Sequence, residues 1–358
     1  MAIPKFDEKE LKVVSTTPGF AGPGTPNYDY PVSPKEATAA LYSRKPVWQL
    51  TGGESTMFSP KVNPDNIARA FVFDGSGFPF GSGGGPDMFG IEWEYIAQVG
   101  GSMVRPGKPF LEDANEWHEK LVWPDIDTWD WEGAAKANAS YLSPDKSNVC
   151  WFLNGWYERL ISFMDFEGAI MALADDEQQD AVKELFDKLS DLYIRIFDKY
   201  ITYFPAIDGF CIHDDWGSQK ETFFSPALAK EMIVPAMRKV TDYLHSRGKY
   251  CDLHSCGQAL KQIPNFIAAG WDSWSGQTMN DTQKIYELYG DKILIGVIPD
   301  SFDPATTSEA DQRAAAKTFA DKFANPDKPS YVNTYGSSVF TPAYREELYK
   351  QSRINYSK

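Results

Sequence analysis

The chain has 358 residues, enough to bury a large core as one big domain or two smaller ones. Its formal net charge of -15 and pI near 4.8 argue against nucleic acid or an anionic membrane as partners. The first residues are charged and lack an apolar signal segment, and no apolar run approaches the ~18 residues of a membrane span. The composition therefore predicts a soluble, cytoplasmic protein. The four cysteines do not form a disulfide framework in a chain of this length.

Residues 1–45 mix proline, glycine and tyrosine with short polar runs, which predicts an irregular N-terminal arm. The arm ends in a short helix that begins after Ser33, a residue suited to capping. A short apolar strand is predicted over residues 47–50, and Glu54 follows it. The glycine-rich residues 74–86 lack the flanking strand and helix of a dinucleotide site and the lysine of a P-loop, so we expect a loop or lid there.

From residue 87 onward, short apolar strands alternate with amphipathic helices. The predicted strands cover residues 87–96, 148–153, 207–212, 250–253, 293–298 and 331–335. The predicted helices cover residues 129–139, the stretch up to 173, 175–200, 226–247 with a kink at Pro235, 281–289, 308–323 and the residues after Pro342. No change in composition marks a second domain. The pattern favours an α/β fold, a (β/α)8 TIM barrel over residues 46–358, with a doubly wound open sheet as the alternative.

Two successive predicted strands end in polar clusters. The strand over residues 250–253 runs into His254 and Cys256, two positions apart and therefore on one face of an extended segment. Imidazole and thiolate are the usual pair of zinc ligands, so this end is a candidate metal site. A buried cysteine beside a hydrogen-bonded histidine remains the alternative.

The strand over residues 207–212 runs into His213, Asp214 and Asp215. In a β-α-β unit these two strand ends meet at the edge where active sites collect. The carboxylates could complete a metal shell or act as general acid and base, and an exposed acidic turn is the alternative. Glu54, after the first predicted strand, is a further oxygen ligand candidate.

These strand ends resemble the core of the uroporphyrinogen decarboxylase superfamily. The resemblance rests on Asp214-Asp215-x-Gly217-x-Gln219, Ser225-Pro226, Pro235, His254-Ser255-Cys256-Gly257, Trp274-Ser275-Gly276-Gln277 and Gly296-Val297-Ile298-Pro299. It implies a (β/α)8 barrel with a site in its mouth. The porphyrinogen decarboxylases themselves carry an arginine-rich N-terminal motif, whereas residues 15–30 here hold no arginine. The chain is more similar to the corrinoid-dependent methyltransferases, whose His-x-Cys pair binds zinc.

Members of that branch that methylate thiols add another cysteine near the last strand. This chain has Tyr335-Gly336-Ser337-Ser338 there and no cysteine after Cys256. The third ligand would then be a carboxylate, Cys211 or the substrate. A more oxygen-rich zinc site is better suited to polarising an oxygen than to activating a thiol.

The resemblance and the residues together predict a zinc-dependent methyltransferase. It would move a methyl group from a methoxylated, aromatic small molecule to the cob(I)alamin of a corrinoid partner protein. Three alternatives remain open: a corrinoid-to-thiol methyltransferase, a decarboxylase like those of the superfamily, and a metal-free binding barrel. A homodimer is also left open. The predicted site comprises His213, Asp214 and Asp215 as catalytic residues, Trp216, Gln219, Asn154 and Gln277 as substrate contacts, and His254, Cys256 and Glu54 as metal ligands.

Overall fold

A computed structural model describes residues 4–17, 24–79, 81–98, 100–334 and 337–358. Tyr335 and Gly336, at the predicted end of the last strand, lie outside the described residues, as do parts of the predicted N-terminal arm and residue 80 of the glycine-rich loop. The described strands are β1 (Val13–Thr17), β2 (Thr25–Tyr28), β3 (Ser55–Phe58), β4 (Gly85–Pro86), β5 (Glu92–Ile96), β6 (Gly101–Val104), β7 (Ser147–Phe152), β8 (Ile207–His213), β9 (Tyr250–His254), β10 (Ser273–Ser275), β11 (Leu294–Val297) and β12 (Tyr331–Val332).

Helices separate most of these strands. The described α-helices are α1 (Pro34–Tyr42), α2 (Pro64–Ala68), α3 (Trp117–Lys120), α4 (Trp131–Asn138), α5 (Trp156–Ala174), α6 (Gln179–Tyr203), α7 (Pro226–Met232), α8 (Val234–Ser246), α9 (Ile263–Ala268), α10 (Thr282–Tyr289), α11 (Glu309–Phe323) and α12 (Pro342–Tyr356). Short 3-10 helices cover Glu8–Leu11, Ala114–Glu116, Ile126–Thr128 and Leu260–Gln262. None of the helices in the described part of the chain is long and apolar enough to cross a membrane.

The chain divides into two compact units. The central unit comprises residues 57–143 and 148–271, and the terminal unit comprises residues 1–56, 144–147 and 272–358. The division into an arm over residues 1–45 and a single domain over residues 46–358 stays a prediction.

The central unit is built on parallel strands. β8 pairs in parallel with both β7 and β9, and a separate antiparallel sheet joins β4, β5 and β6. Helices α5 and α6 connect β7 to β8, and α7 and α8 connect β8 to β9. Between sheet and helix the core is aromatic: the Phe152 ring lies 4.6 Å from that of Tyr193 and 5.0 Å from that of Phe197. Such β-α-β crossovers place the carboxyl ends of all three strands at one edge.

The terminal unit repeats this plan. β11 pairs in parallel with both β10 and β12, and α10 and α11 form the crossovers. An antiparallel hairpin of β1 and β2 also belongs to this unit. The predicted α/β class is therefore confirmed as parallel strands alternating with helices, whereas closure into an eight-stranded barrel stays a prediction.

Local signals located most helices correctly. Ser33 accepts a hydrogen bond from the backbone of Glu36 at the start of α1, and Asn63, Ser225 and Thr341 cap α2, α7 and α12 in the same way. The predicted single kinked helix over residues 226–247 is instead two helices that break at Ile233. Pro235 lies in the first turn of α8, where its missing N–H is tolerated, so the break falls just before it rather than at it.

The predicted strand over residues 47–50 is wrong. Val47, Trp48 and Leu50 are buried, but this segment is irregular, and β3 begins only at Ser55. The segment packs with aromatic and aliphatic side chains of the terminal unit, including Tyr28 and Tyr349. Short apolar runs fit a packed irregular segment as well as a strand, because periodicity alone does not separate them.

A buried ion pair fastens the start of the chain to α12 within the terminal unit. Glu10 accepts hydrogen bonds from Arg353 Nε at 2.8 Å and from the Tyr349 hydroxyl at 2.6 Å. The Arg353 guanidinium is fully buried. Burial by itself raises the pKa of Glu10, but the hydrogen bonds from Arg353 and Tyr349 outweigh it and hold that pKa below its ordinary value.

We expect Glu10→Gln to destabilise the protein by about 3–5 kcal/mol at pH 7, because it leaves a buried guanidinium without its counter-ion. The lowered pKa of Glu10 means that its contribution is present above the ordinary glutamate pKa and is lost as the pH falls through the lowered one. In urea unfolding between pH 3 and pH 7, the free energy of unfolding should fall more steeply with acid in the parent than in the variant. Glu8→Gln is the control, since Glu8 is exposed and 4.0 Å from Lys350; an equal loss in both variants would contradict the role of Glu10.

Candidate metal centre

The register of two parallel strands brings four potential metal ligands together in the central unit. His213, the last residue of β8, lies directly opposite His254, the last residue of β9. Asp215 lies two positions after His213, and Cys256 lies two positions after His254, so all four side chains share one face. One ligand atom from each of these residues lies within 4.8 Å of the others.

Two of the distances between these atoms match the spacing of ligands around a tetrahedral zinc ion. His254 Nε2 lies 3.3 Å from Cys256 Sγ, and His213 Nε2 lies 3.3 Å from Asp215 Oδ1. Bonds of about 2.0–2.3 Å at tetrahedral angles separate neighbouring ligand atoms by about 3.3–3.6 Å. The two imidazole rings are nearly parallel, with centroids 5.3 Å apart, and His213 Nδ1 is buried without a hydrogen-bond partner among the described residues. Two nitrogens, one sulfur and one oxygen form a donor set that zinc accepts.

Two glycines allow the loops after β8 and β9 to come together. A Cβ on Gly257, whose φ is +77°, would lie 1.9 Å from the carbonyl oxygen of Gly217, so neither loop could accommodate it. The close approach permits the N–H of Gln258 to donate to the carbonyl of Ser218 at 2.7 Å. These glycines therefore permit the loop contact that accompanies the four-ligand cluster.

The electrostatics of the cluster favour neutral imidazole and a carboxylate. Burial, with a smaller contribution from His213, lowers the pKa of His254 to about 4. Burial raises the pKa of Asp215, but His213, His254 and the Cys256 N–H outweigh it and leave that pKa below its ordinary value. Burial and the Asp215 charge raise the pKa of the Cys256 thiol. A divalent cation would favour the thiolate instead, so binding it must release a proton.

Asp214 lies on the opposite face from its neighbours and has another role. It is fully buried, and it accepts hydrogen bonds from the backbone N–H of Glu158 at 2.8 Å and from Trp216 Nε1 at 2.9 Å. A third bond comes from the N–H of Tyr157 at 3.3 Å. Burial raises the pKa of Asp214 to about 7, against the effect of these hydrogen bonds. Since α5 has no side-chain cap of its own, the Asp214 carboxylate serves as one.

The other predicted residues do not join the four-ligand cluster. Glu54 belongs to the terminal unit and accepts hydrogen bonds from Trp48 Nε1 and the Thr51 N–H, each at 3.0 Å. Each of its oxygens therefore accepts one hydrogen bond, and its role as a metal ligand stays a prediction. Cys211 is fully buried and is not one of the four.

The predicted substrate contacts have different surroundings. Trp216 is fully buried against Phe224 and Phe266, with ring centroids 5.2 Å apart in both pairs. Asn154 is also fully buried, and its amide donates to Asp65 at 2.8 Å. Gln219 is exposed after β8, and Gln277 follows β10 in the terminal unit.

Several residues around the cluster could not be singled out from sequence patterns. Arg69, at the C-terminal end of α2, donates to Glu158 Oε2 at 2.6 Å and to Asn154 Oδ1 at 3.2 Å. The Trp151 ring lies 5.8 Å from the His254 ring, and the Phe71 ring lies 5.4 Å from that of Trp151. Glu158 and Trp151 could have been suspected from their places around the end of β7. Arg69 and Phe71 could not, because they come from a short helix and a loop far away in the sequence.

Comparisons with known proteins show the fold and no more. No family model and no curated protein matches the chain. Among solved structures, the chain is similar to a methyltransferase from Methanosarcina mazei, with a TM-score of 0.55 and 15% identity over 90% of this chain and 98% of that one. An AP endonuclease of family 2 from Brucella melitensis has a TM-score of 0.31 at 12% identity, over 59% of this chain and 81% of that one, and carries no argument. At these identities the likeness extends to the fold alone.

We expect the purified protein to bind one Zn²⁺ per chain, and His254→Ala and Cys256→Ser to weaken binding beyond the ~10–100-fold typical of an outer-shell change. With Co²⁺ as a probe, the thiolate-to-cobalt absorption band should vanish in Cys256→Ser. The affinity should rise with pH, because Cys256 must lose its proton. Glu54→Gln is the matched control: normal binding is expected, and a loss as large as that of His254→Ala would restore Glu54 as a ligand.

We expect Asp214→Ala and Asp215→Ala to have opposite effects. Asp214→Ala leaves three buried donors without an acceptor and should lower the free energy of unfolding by about 1–3 kcal/mol or more, with zinc binding retained. Asp215→Ala should weaken zinc binding and cost less stability. Urea unfolding of the metal-free variants and a zinc titration of each would measure this. Loss of zinc binding in Asp214→Ala with unchanged stability would contradict the assignment.

Proposed function

We propose that this chain is a zinc-dependent methyltransferase. It takes a methyl group from a methoxylated aromatic compound and delivers it to the cob(I)alamin of a corrinoid partner protein. The observation that carries the proposal is the cluster of His213, Asp215, His254 and Cys256 at the ends of two adjacent parallel strands. The overall likeness to a methyltransferase structure is consistent with it.

His213, His254 and Cys256 would hold the zinc ion, with Asp215 as the fourth ligand. When bound there, zinc supplies a Lewis acid that stabilises negative charge on the ether oxygen as the methyl group leaves. A ligand set with only one thiolate leaves zinc a harder Lewis acid than a sulfur-rich set does. Such a zinc ion suits an oxygen substrate better than a thiol. That preference is the reason for favouring the methoxylated donor over a thiol acceptor.

The residues around the cluster would position the substrate. Phe71 and Trp151 are half-buried rings beside His254, and they offer an apolar wall for an aromatic ring. The cobalt(I) electron pair forms the new bond to the methyl carbon, and the ether oxygen keeps the electrons of the bond that breaks and then takes a proton. The side chain of Asp215 is 24% exposed, so water can reach the site to supply that proton.

The site would lie at the mouth of the expected barrel. In a closed (β/α)8 barrel, the carboxyl ends of β8 and β9 would open at the barrel mouth, where the active sites of such barrels lie. The corrinoid protein would dock over that mouth. Asp214 would then support catalysis only by fixing α5 against β8.

The test is incubation of the zinc-loaded protein with a reduced corrinoid protein and a panel of methoxyarenes, with cobalt followed by absorption. We expect a methyl–cobalt spectrum with at least one ether, and a loss of rate of more than ~100-fold in His254→Ala, because removing a group that stabilises developing charge costs about 10²–10³-fold. Glu54→Gln should react normally. If no ether yields methyl–cobalt, or if the metal-free protein is equally active, the proposal is wrong.

A further inference from the structure

Arg69 offers an unused hydrogen-bonding edge beside the first turn of α5, the helix whose start is bound to the end of β8. Its Nη1 donates to Glu158 and Asn154, and its guanidinium lies 4.9 Å from the centre of the Trp93 ring. Nε and Nη2 have no acceptor in the part of the chain that the structure describes. The side chain is only 15% exposed, so the guanidinium is held in a largely enclosed position with two donors left available to a ligand.

Backbone hydrogen bonds connect Arg69 to the metal cluster. The first turn of α5 lies against the end of β8, because the N–H of Gly155 donates to the carbonyl of His213 at 2.8 Å and that of Glu158 donates to Asp214. The two acceptors of Arg69, Asn154 and Glu158, flank this turn.

The contacts of Arg69 also fix the orientation of its guanidinium group. The ion pair with Glu158, in which both side chains are mostly buried, and the Trp93 ring hold the guanidinium at one end and on one face. The remaining Nε and Nη2 atoms form the fork that binds a carboxylate through two parallel hydrogen bonds. Lysine has no equivalent fork, and a neutral substrate would leave these two donors unpaired.

We infer that Arg69 selects methyl donors that carry a carboxylate, so that the substrates are methoxylated aromatic acids rather than neutral methoxyarenes. The inference rests on the proposed function and names the substrate class of the same site. Phe71, two residues from Arg69, and Trp151 supply the apolar surface for the ring. The balance of charge permits an anion: Arg69 offsets Glu158, and a bound zinc ion would offset Asp215 and the Cys256 thiolate.

A matched pair of ligands isolates the carboxylate: 3-methoxybenzoate and its neutral isostere 3-methoxybenzamide. Titration calorimetry of the zinc-loaded protein, without the corrinoid protein, measures binding alone. The parent should bind the acid about 10- to 100-fold more tightly than the amide, since hydrogen bonds between charged groups are the strong ones. Arg69→Gln should lose most of this preference by weakening the acid, with the amide changed by less than about threefold, and Arg69→Lys should restore it only in part.

Glu158→Gln is the control for a merely structural role, because it also breaks the Arg69–Glu158 ion pair but keeps the fork. It should retain or strengthen acid binding. The inference is overturned if the parent does not prefer the acid, if Arg69→Gln weakens both ligands equally, or if Glu158→Gln reproduces the effect of Arg69→Gln. Binding that depends on Arg69 without any methyl–cobalt in the transfer assay would support this inference while refuting the proposed function. Methyl transfer equally fast from amide and acid would do the reverse.

Discussion

The parallel pairing of β8 with β9 is the interaction on which the candidate site depends. Its register sets His213 opposite His254, and the two-residue period of extended chain then carries Asp215 and Cys256 to the same face. A slip of one residue in either strand would turn its ligands toward the opposite face. The aromatic core between the sheet and α6 packs on one of these two strands, since the Phe197 ring lies 4.8 Å from the Phe210 ring of β8.

The same alternation turns the residues between the ligands toward the scaffold. Asp214 and Ser255 point away from the four ligands and are both fully buried. Asp214 accepts a hydrogen bond from the Glu158 N–H in the first turn of α5, and Ser255 Oγ accepts one from the N–H of Trp216 at 3.1 Å. Each polar strand end thus has one face that contributes to the four-ligand cluster and one that contacts the scaffold. Replacing a residue on the scaffold face would release the helix or the loop that it holds.

The first turn of α5 links the end of β8 to Arg69. Its backbone is bound to β8 through Gly155 and Glu158, and the Glu158 side chain in turn orients Arg69. This arrangement holds a cation beside the start of α5 in a chain with a net charge of -15. A local guanidinium of this kind permits recognition of an anion that the overall charge of the protein would disfavour.

The sequence by itself determined the alternation of strands and helices, the capped start of α1, the starts of α7 and α12, and the His254–Cys256 pair, because capping, periodicity and i,i+2 spacing are local properties. It did not determine the rest of the ligand set. Glu54 was a plausible oxygen ligand by position, yet the contacts of Trp48 and Thr51 take up its carboxylate. Among His213, Asp214 and Asp215, only the pairing of β8 with β9 separated the metal face from the buried face. Arg69 entered the site solely through tertiary packing, since nothing near it in the chain marks which strand end its side chain will reach.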